Sequence, residues 1–239
     1  MTNKPLSLLL AACALATPLH AQDAAAILEG ARVSASLTKL EKGLTGNVRK
    51  GNSKTPLVLF LMGSNIQFQF QENNGPWQVF HMRMGDNSTE LYEVKDGKPA
   101  KFPSSKLTRP IGGTDLTYED LALRFLYWPG AVLEGSESVG GQDCWKIRVD
   151  KPNRTEGAYQ VAYVWVHKKY GAFMRIRAHN KAGGLIKEFQ VEDVMQIQDV
   201  WTLRKMQVAT CDPATGRRTS ITEVTFDTPN QKSGPRGSR

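Results

Sequence analysis

The stretch Asn65-Ile-Gln-Phe-Gln-Phe-Gln71 alternates strictly between apolar and polar side chains. Successive side chains of an extended chain point to opposite faces, so Ile66, Phe68 and Phe70 share one face and Gln67, Gln69 and Gln71 the other. This is the pattern of a half-buried strand. Similar runs flank it at 57–62, 77–84 and 91–94, separated by Gly63-Ser-Asn65, Glu72-Asn-Asn-Gly-Pro76, Gly85-Asp-Asn-Ser88 and Asp96-Gly97. Further runs lie at 132–139, 144–149, 159–167, 172–179, 185–197, 201–210 and 219–226. Short apolar runs broken at such intervals by turn residues indicate an antiparallel sheet. The expectation is a mainly β chain of about eleven antiparallel strands in mostly sequential up-and-down order.

Two segments break the pattern. Residues 23–41 carry Ile27, Leu28, Ala31, Leu37 and Leu40 at loosely helical spacing, which predicts an N-terminal helix that gives way to a strand near Ser34. Residues 98–130 form an insert. Its first half, 99–113, holds three Pro and two Gly and reads as an extended loop. Thr117-Tyr-Glu-Asp120 then opens a helix expected to run to Trp128, with Thr117 as N-cap and Asp120 reaching back to the cap amide. Pro129-Gly130 stops it. Leu116, Leu121, Phe125, Leu126 and Trp128 make this helix apolar enough to lie against the sheet.

The chain has 239 residues, 40% apolar and 23% charged, with 3 Cys and 21 Gly that show no period. Low-complexity disorder, collagen and disulfide-rich miniproteins are excluded. The formal net charge is +8, which is compatible with nucleic acid, anionic head groups or an acidic partner. The N-terminus narrows this. Lys4 precedes Leu6-Ser-Leu-Leu-Leu-Ala-Ala-Cys-Ala-Leu-Ala16, followed by Pro18 and a small residue, Ala21. That is the layout of a secretory signal peptide over 1–21, with an apolar run too short to span a bilayer. Export sets nucleic acid aside as a partner and points to an exported compartment. Leu10-Ala-Ala-Cys13 also resembles a lipobox, so a membrane-anchored lipoprotein acylated at Cys13 is the alternative address. Either way Cys144 and Cys211 remain, as a disulfide or as two buried thiols. The folded body is expected over 22–228 and a disordered basic tail over 229–239. Lys4, Lys232, Arg236 and Arg239 lie outside that body, so half of the formal charge belongs to the leader and tail.

Catalytic chemistry leaves little trace. His81, His167 and His179 each stand on a strand with no second ligand at metal spacing, and no HExxH, CxxC or GxSxG occurs. Gly112-Gly-Thr-Asp115 could form an anion nest, but no Walker Lys-Ser/Thr follows, and a loop leading into the helix is the simpler reading. Glu119 and Asp120 are adjacent on a helix and diverge by about 100 degrees, so they do not converge on one substrate. Asn87-Ser-Thr89 and Asn153-Arg-Thr155 match glycosylation sequons and read as turn composition. Neither catalytic residues, metal ligands nor cofactors are assigned. What stands out is apolar: Phe60, Met62, Phe68, Phe70, Phe80, Met82 and Met84 on the early strands, with Leu121 and Phe125 on the inserted helix. They are either ordinary core or the lining of a cavity, because one curved sheet with two helices has more concave face than the helices fill. Trp77, His81 and Arg83 occupy the opposite face.

Taken together, Gly113-Thr-Asp-Leu-Thr-Tyr-Glu-Asp-Leu121, Leu133-Glu-Gly-Ser-Glu-Ser-Val-Gly-Gly-Gln-Asp-Cys-Trp-Lys-Ile-Arg-Val149, Tyr163-Val-Trp-Val-His-Lys168 and Lys187-Glu-Phe189 resemble the LolA-like family of outer membrane lipoprotein-sorting proteins. The resemblance implies a single, strongly curved, open half β-barrel with the helices as a lid or plug. It implies a non-enzymatic periplasmic carrier or chaperone that takes lipid or the acyl chains of lipoproteins. No arginine, Arg49 and Arg83 included, is assigned a role in cargo binding by the resemblance. The competing function is a binding or sensing module on the same fold, which would meet an envelope protein partner through Arg175, Arg177, Lys205, Arg217 and Arg218.

Overall fold

The computed structural model describes residues 19–36, 40–85, 89–197 and 200–229. The leader expected over 1–21, Cys13, the Asn87 sequon and the tail lie outside these residues, apart from the first turn of the N-terminal helix and Pro229. That helix, α1, is Leu19–Ser36. It is followed by β1 (Leu40–Lys50), β2 (Ser53–Met62), β3 (Asn65–Gln71), β4 (Trp77–Met84), β5 (Thr89–Lys95) and β6 (Lys98–Lys101). After the insert, which contains α2 (Tyr118–Ala122), come β7 (Val132–Val139), β8 (Gln142–Asp150), β9 (Val161–His167), β10 (Phe173–His179), β11 (Leu185–Ile197), β12 (Val200–Cys211) and β13 (Arg218–Phe226).

Among the described residues the thirteen strands form one antiparallel sheet in the order β6-β5-β4-β3-β2-β1-β13-β12-β11-β10-β9-β8-β7. The up-and-down order of the sequence holds throughout except at the seam, where β1 pairs with β13. Two strands exceed the expected eleven. β1 carries Gly43, Gly46 and three Lys or Arg, which dilute its alternation. β6 contains Pro99, which a sheet accepts at an edge. α1 ends at Ser36, short of the expected 41.

A sheet of this width curls. One continuous core joins Leu44, Leu57 and Phe80 of the first half to Ile147, Val164 and Val208 of the second, so both halves wrap the same interior. β6 and β7 remain unpaired edges, and residues 102–131 carry the chain from one to the other. This crossing segment is the plug. Its helix is shorter than the spacing suggested. α2 ends at Ala122, Leu123 takes a left-handed conformation (φ 45, ψ 34), and Arg124–Tyr127 form a 3-10 turn. Packing overrides helix propensity there, as Phe125 turns in to meet Trp128 and Tyr159 at centroid distances of 6.4 and 6.3 Å.

The plug is pinned at one end of the half-barrel. Because neighbours run antiparallel, the turns at 51–52, 72–76 and 212–217 stand at that end, and the ends of β2, β4 and β11 stand at the other. Asp115 Oδ1 accepts hydrogen bonds from Thr210 Oγ1 (2.7 Å), Lys50 Nζ (3.2 Å) and Ser220 Oγ, and Oδ2 accepts one from Thr222 Oγ1 (2.9 Å). Its backbone N–H donates to Thr222 Oγ1 at 2.8 Å, and its carbonyl accepts from Lys187 Nζ. Burial pushes this carboxyl up, but the bonds from Ser220, Thr210, Thr222 and Lys50 outweigh it and hold it below the usual carboxylate range. The Gly112-Gly113 loop uses its polar groups internally: Gly112 N–H donates to Glu72 Oε1 at 2.8 Å. It is the approach to the plug.

Cys144 and Cys211 are free and buried. Four strand steps separate β8 from β12, about 19 Å at about 4.8 Å each, far beyond disulfide reach.

Two expectations follow. Both thiols resist iodoacetamide in the native protein, and both are alkylated without reductant once urea unfolds it, as read by peptide mass mapping. Asp115→Ala lowers stability by about 3–5 kcal/mol in urea titrations, because it strands buried partners, while Asp115→Asn costs about 1–3 kcal/mol. Since the folded pKa of Asp115 lies below its unfolded value, its contribution is present at neutral pH and is lost as pH falls from about 4 through the folded pKa. Wild-type and Asp115→Asn stabilities therefore converge in acid.

Candidate functional site

The interior above the plug is not filled. β2 turns Leu57, Leu59 and Leu61 inward, β3 adds Ile66 and Phe68, and β4 adds Met82. The far wall comes from Ile176 on β10, Phe189 and Val191 on β11, Leu203 and Met206 on β12, and Val224 and Phe226 on β13. Leu116, Leu121 and Leu123 of the plug and Ala31 of α1 close the space to a cavity of about 280 Å³. Its lining is predominantly apolar, and its rim carries Val194 and Trp201, which are 40% and 56% exposed. The cavity thus opens at the end opposite the Asp115 anchor.

The floor is polar but saturated. Asp120 reaches the cavity wall, yet Oδ2 accepts from Thr117 N–H at 2.7 Å and faces Lys187 Nζ at 3.5 Å, while Oδ1 accepts from Tyr159 Oη. With Asp120 N–H donating to Thr117 Oγ1 at 3.3 Å, this is the expected capping box. Burial raises the Asp120 carboxyl, against the pull of Lys187, and raises the Tyr159 hydroxyl well above its ordinary value. Glu119 points away from Asp120, accepting from the Ala158 and Tyr159 N–H groups at 2.9 and 3.5 Å, and burial raises it as well. Gly157 makes that approach possible, since at φ 117 any Cβ would collide with the Glu119 carboxylate. These carboxylates are structural anchors with their bonds filled. Among the described residues no group of three or more His, Cys, Asp or Glu converges as metal ligands would, and no helix is long and apolar enough to cross a membrane.

The apolar residues singled out by sequence separate into four places. Phe68, Met82 and Leu121 line the cavity. Met84 lines a smaller one, of about 50 Å³, between α1, the plug and β4. Phe70, Phe80 and Phe125 are fully buried packing, with Phe80 5.0 Å from Phe102 and 5.3 Å from Tyr118 between ring centroids. Phe60 and Met62 are on the wrong face. Only Gly63 and Ser64 separate β2 from β3, and such a turn pairs even with odd positions: Leu59 lies opposite Phe68 and Phe60 opposite Gln67. Phe60 accordingly sits outside, against Gly43, and Met62 is 42% exposed. The longer turn between β3 and β4 preserves parity, so Phe68 faces Phe80 and Ile66 faces Met82. The far wall was overlooked. Its signal was the spacing Phe189, Val191 and Val224, Phe226, weaker to the eye because bulges after Val191 and Asp193 shift the alternation.

On the outer face, the basic residues considered for partner contact are mostly engaged. Arg177 and Arg218 both clasp Glu188, Lys205 bridges Glu192 (3.1 Å) and Glu223 (2.8 Å), and Arg175, which the β10 bulge also brings to the border of the cavity, donates to Gln190 at 2.7 Å.

Comparison with known proteins agrees with this architecture. A DUF1329 family protein from Desulfovibrio piger superposes with a TM-score of 0.65 at 18% identity, covering 87% of this chain and 91% of the other. A putative outer membrane lipoprotein-sorting protein domain from Vibrio parahaemolyticus gives 0.66 at 15% identity, covering 87% and 92%. A LolA superfamily protein from Nitrosomonas europaea gives 0.62 at 15% identity, covering 88% and 92%. At these identities the likeness is one of fold. No curated protein matches the sequence. A family model described as "Uncharacterized protein" matches residues 69–233, more than half of the chain. The chain therefore belongs to that family and has a LolA-like fold, an open antiparallel half-barrel around a plug.

Proposed function

We propose that this protein is an exported carrier that holds a lipid, or the acyl chains of a lipoprotein, in the cavity and performs no chemistry on it. In this reading residues 1–21 are a removed leader, 22–228 the carrier body and 229–239 a basic tail, and the protein works in the periplasm. The observation that carries the proposal is the cavity itself: apolar walls, a floor whose polar groups are saturated, and a rim with exposed Trp201 and Val194. Such a space offers nothing to a polar substrate and much to a hydrocarbon chain.

The magnitudes fit. An apolar cavity of about 150 Å³ holds a benzene ring, about 25 Å³ per carbon, so the cavity of about 280 Å³ takes on the order of eleven methylenes. Hiding about eleven methylenes from water is worth on the order of 9 kcal/mol, enough to hold a chain against an aqueous compartment. Phe68, Met82 and Leu121 belong to the proposed binding surface, together with Ile176, Met206 and Phe226 of the far wall.

Protein secreted into a Gram-negative periplasm and purified without detergent is expected to carry phospholipid or lipoprotein acyl chains, seen by native mass spectrometry and lipid extraction. Met206→Trp, which fills the cavity from its wall, cuts that occupancy at least fivefold without unfolding the protein. Wild-type protein that stays empty across all lipid classes overturns the carrier reading.

A further inference from the structure

The smaller cavity is a neighbour of the larger one, and both touch the same four side chains: Ile66, Met82, Leu123 and Phe173. Three of these belong to the sheet. Ile66 and Met82 are directly paired across β3 and β4, and Phe173 begins β10, so the hydrogen-bond ladder fixes their backbones. Leu123 alone comes from the plug. It occupies the joint between α2 and the 3-10 turn at φ 45, a conformation bulky L-residues rarely adopt, and its side chain is only half-buried. Beyond it the smaller cavity is bordered by α1 and the end of the plug. Arg32 of α1 stacks 4.7 Å from the Tyr127 ring centroid and donates to the Leu126 carbonyl at 3.1 Å.

We propose that Leu123 is the partition between the two cavities and sets the length of acyl chain that the carrier accepts. The inference rests on the carrier reading and adds a specificity-determining residue to it. A chain entering past Trp201 crosses the main cavity to the β3–β4 wall and ends at Leu123. Displacing or trimming that side chain joins the second space, whose volume of about 50 Å³ takes on the order of two more methylenes. The lining of the second space is almost wholly apolar, so it suits the methyl end of a chain and no head group.

The test is competition among saturated fatty acids of graded length, in steps of two carbons, for the delipidated wild-type protein and its variants, read by native mass spectrometry. Wild-type affinity is expected to rise about fourfold per methylene, equivalent to about 0.8 kcal/mol, and to stop rising at the length that fills the main cavity. Leu123→Ala keeps the slope and moves the plateau to chains about two carbons longer. Phe173→Ala, which trims the same partition from the sheet side, moves it in the same direction, so the test survives if one variant fails to fold. Leu123→Phe leaves the plateau in place or shortens it. A plateau unmoved in every folded variant that trims the partition overturns the role of Leu123 while leaving the carrier reading intact. Wild-type protein that binds no fatty acid of any length overturns both.

Discussion

The buried carboxylate of Asp115 is the constraint on which the remaining architecture depends. An antiparallel sheet that grows outward from a seam in both directions ends with two edge strands, β6 and β7, that follow one another in the chain but stand at opposite margins of the sheet, and one segment must cross between them. That segment lies inside the curl, where every backbone and side-chain polar group needs a partner. Asp115 meets the need with four acceptor contacts from β1, β12 and β13 and a carbonyl contact from β11. Glu119 does the same for the chain around Gly157, and Asp120 for Tyr159 and Lys187. Buried ionic groups contribute little net stability compared with apolar packing. Their effect here is positional. They hold the plug at one end of the half-barrel, and the aromatic cluster of Phe70, Phe80, Phe102 and Tyr118 packs tightly against it there. The opposite end is left with walls and no filling.

How much of this could be read from the sequence depends on the range of the interaction. The alternation at 65–71 and its turns disclosed the sheet class and the up-and-down order, and Thr117 with Asp120 disclosed a local cap, because those signals span a few residues. Parity across a turn is equally local. Counting the two residues between Met62 and Asn65 places Phe60 outside, so the misassignment of Phe60 and Met62 lay in grouping strands by composition when register was available. The left-handed break at Leu123 was not legible. Thr117 to Trp128 has the spacing of one helix, and it is interrupted by contacts with Tyr159 and with α1, more than thirty residues away on either side. The partners of Asp115 stand 65 to 107 residues away, so its role as anchor could not be inferred from the residues around it.

The site divides along the same line. The wall from β2 to β4 comes from the half in which the alternation is cleanest, and its apolar character was visible. The wall from β10 to β13 is built by strands that bulge, long enough that a single extra residue reverses which face their side chains share. At Phe173 the bulge in β10 turns a ring inward while Met174 packs outside against Trp165. Bulged strands are how a wide sheet bends around a space, so the feature that obscured the second wall also shapes the cavity.

Charge has a smaller part than the composition suggested. On the outer face most of the cations considered for partner contact are balanced in place by Glu188, Glu192 and Glu223, and the inner face is an apolar surface with saturated polar groups at its floor. In the proposed carrier, recognition is governed by shape and by the area of hydrocarbon removed from water. That gives steep dependence on chain length and weak dependence on head group. It also separates the two ends mechanically. The floor is tied by many hydrogen-bonded and charged groups that resist displacement, whereas the roof is held to α1 by the stack of Arg32 on Tyr127 and its one bond to the Leu126 carbonyl, and to the sheet by apolar contacts of the strained Leu123. With so few directional contacts there, widening of the cavity in the proposed carrier proceeds from the roof, with the floor as its fixed end.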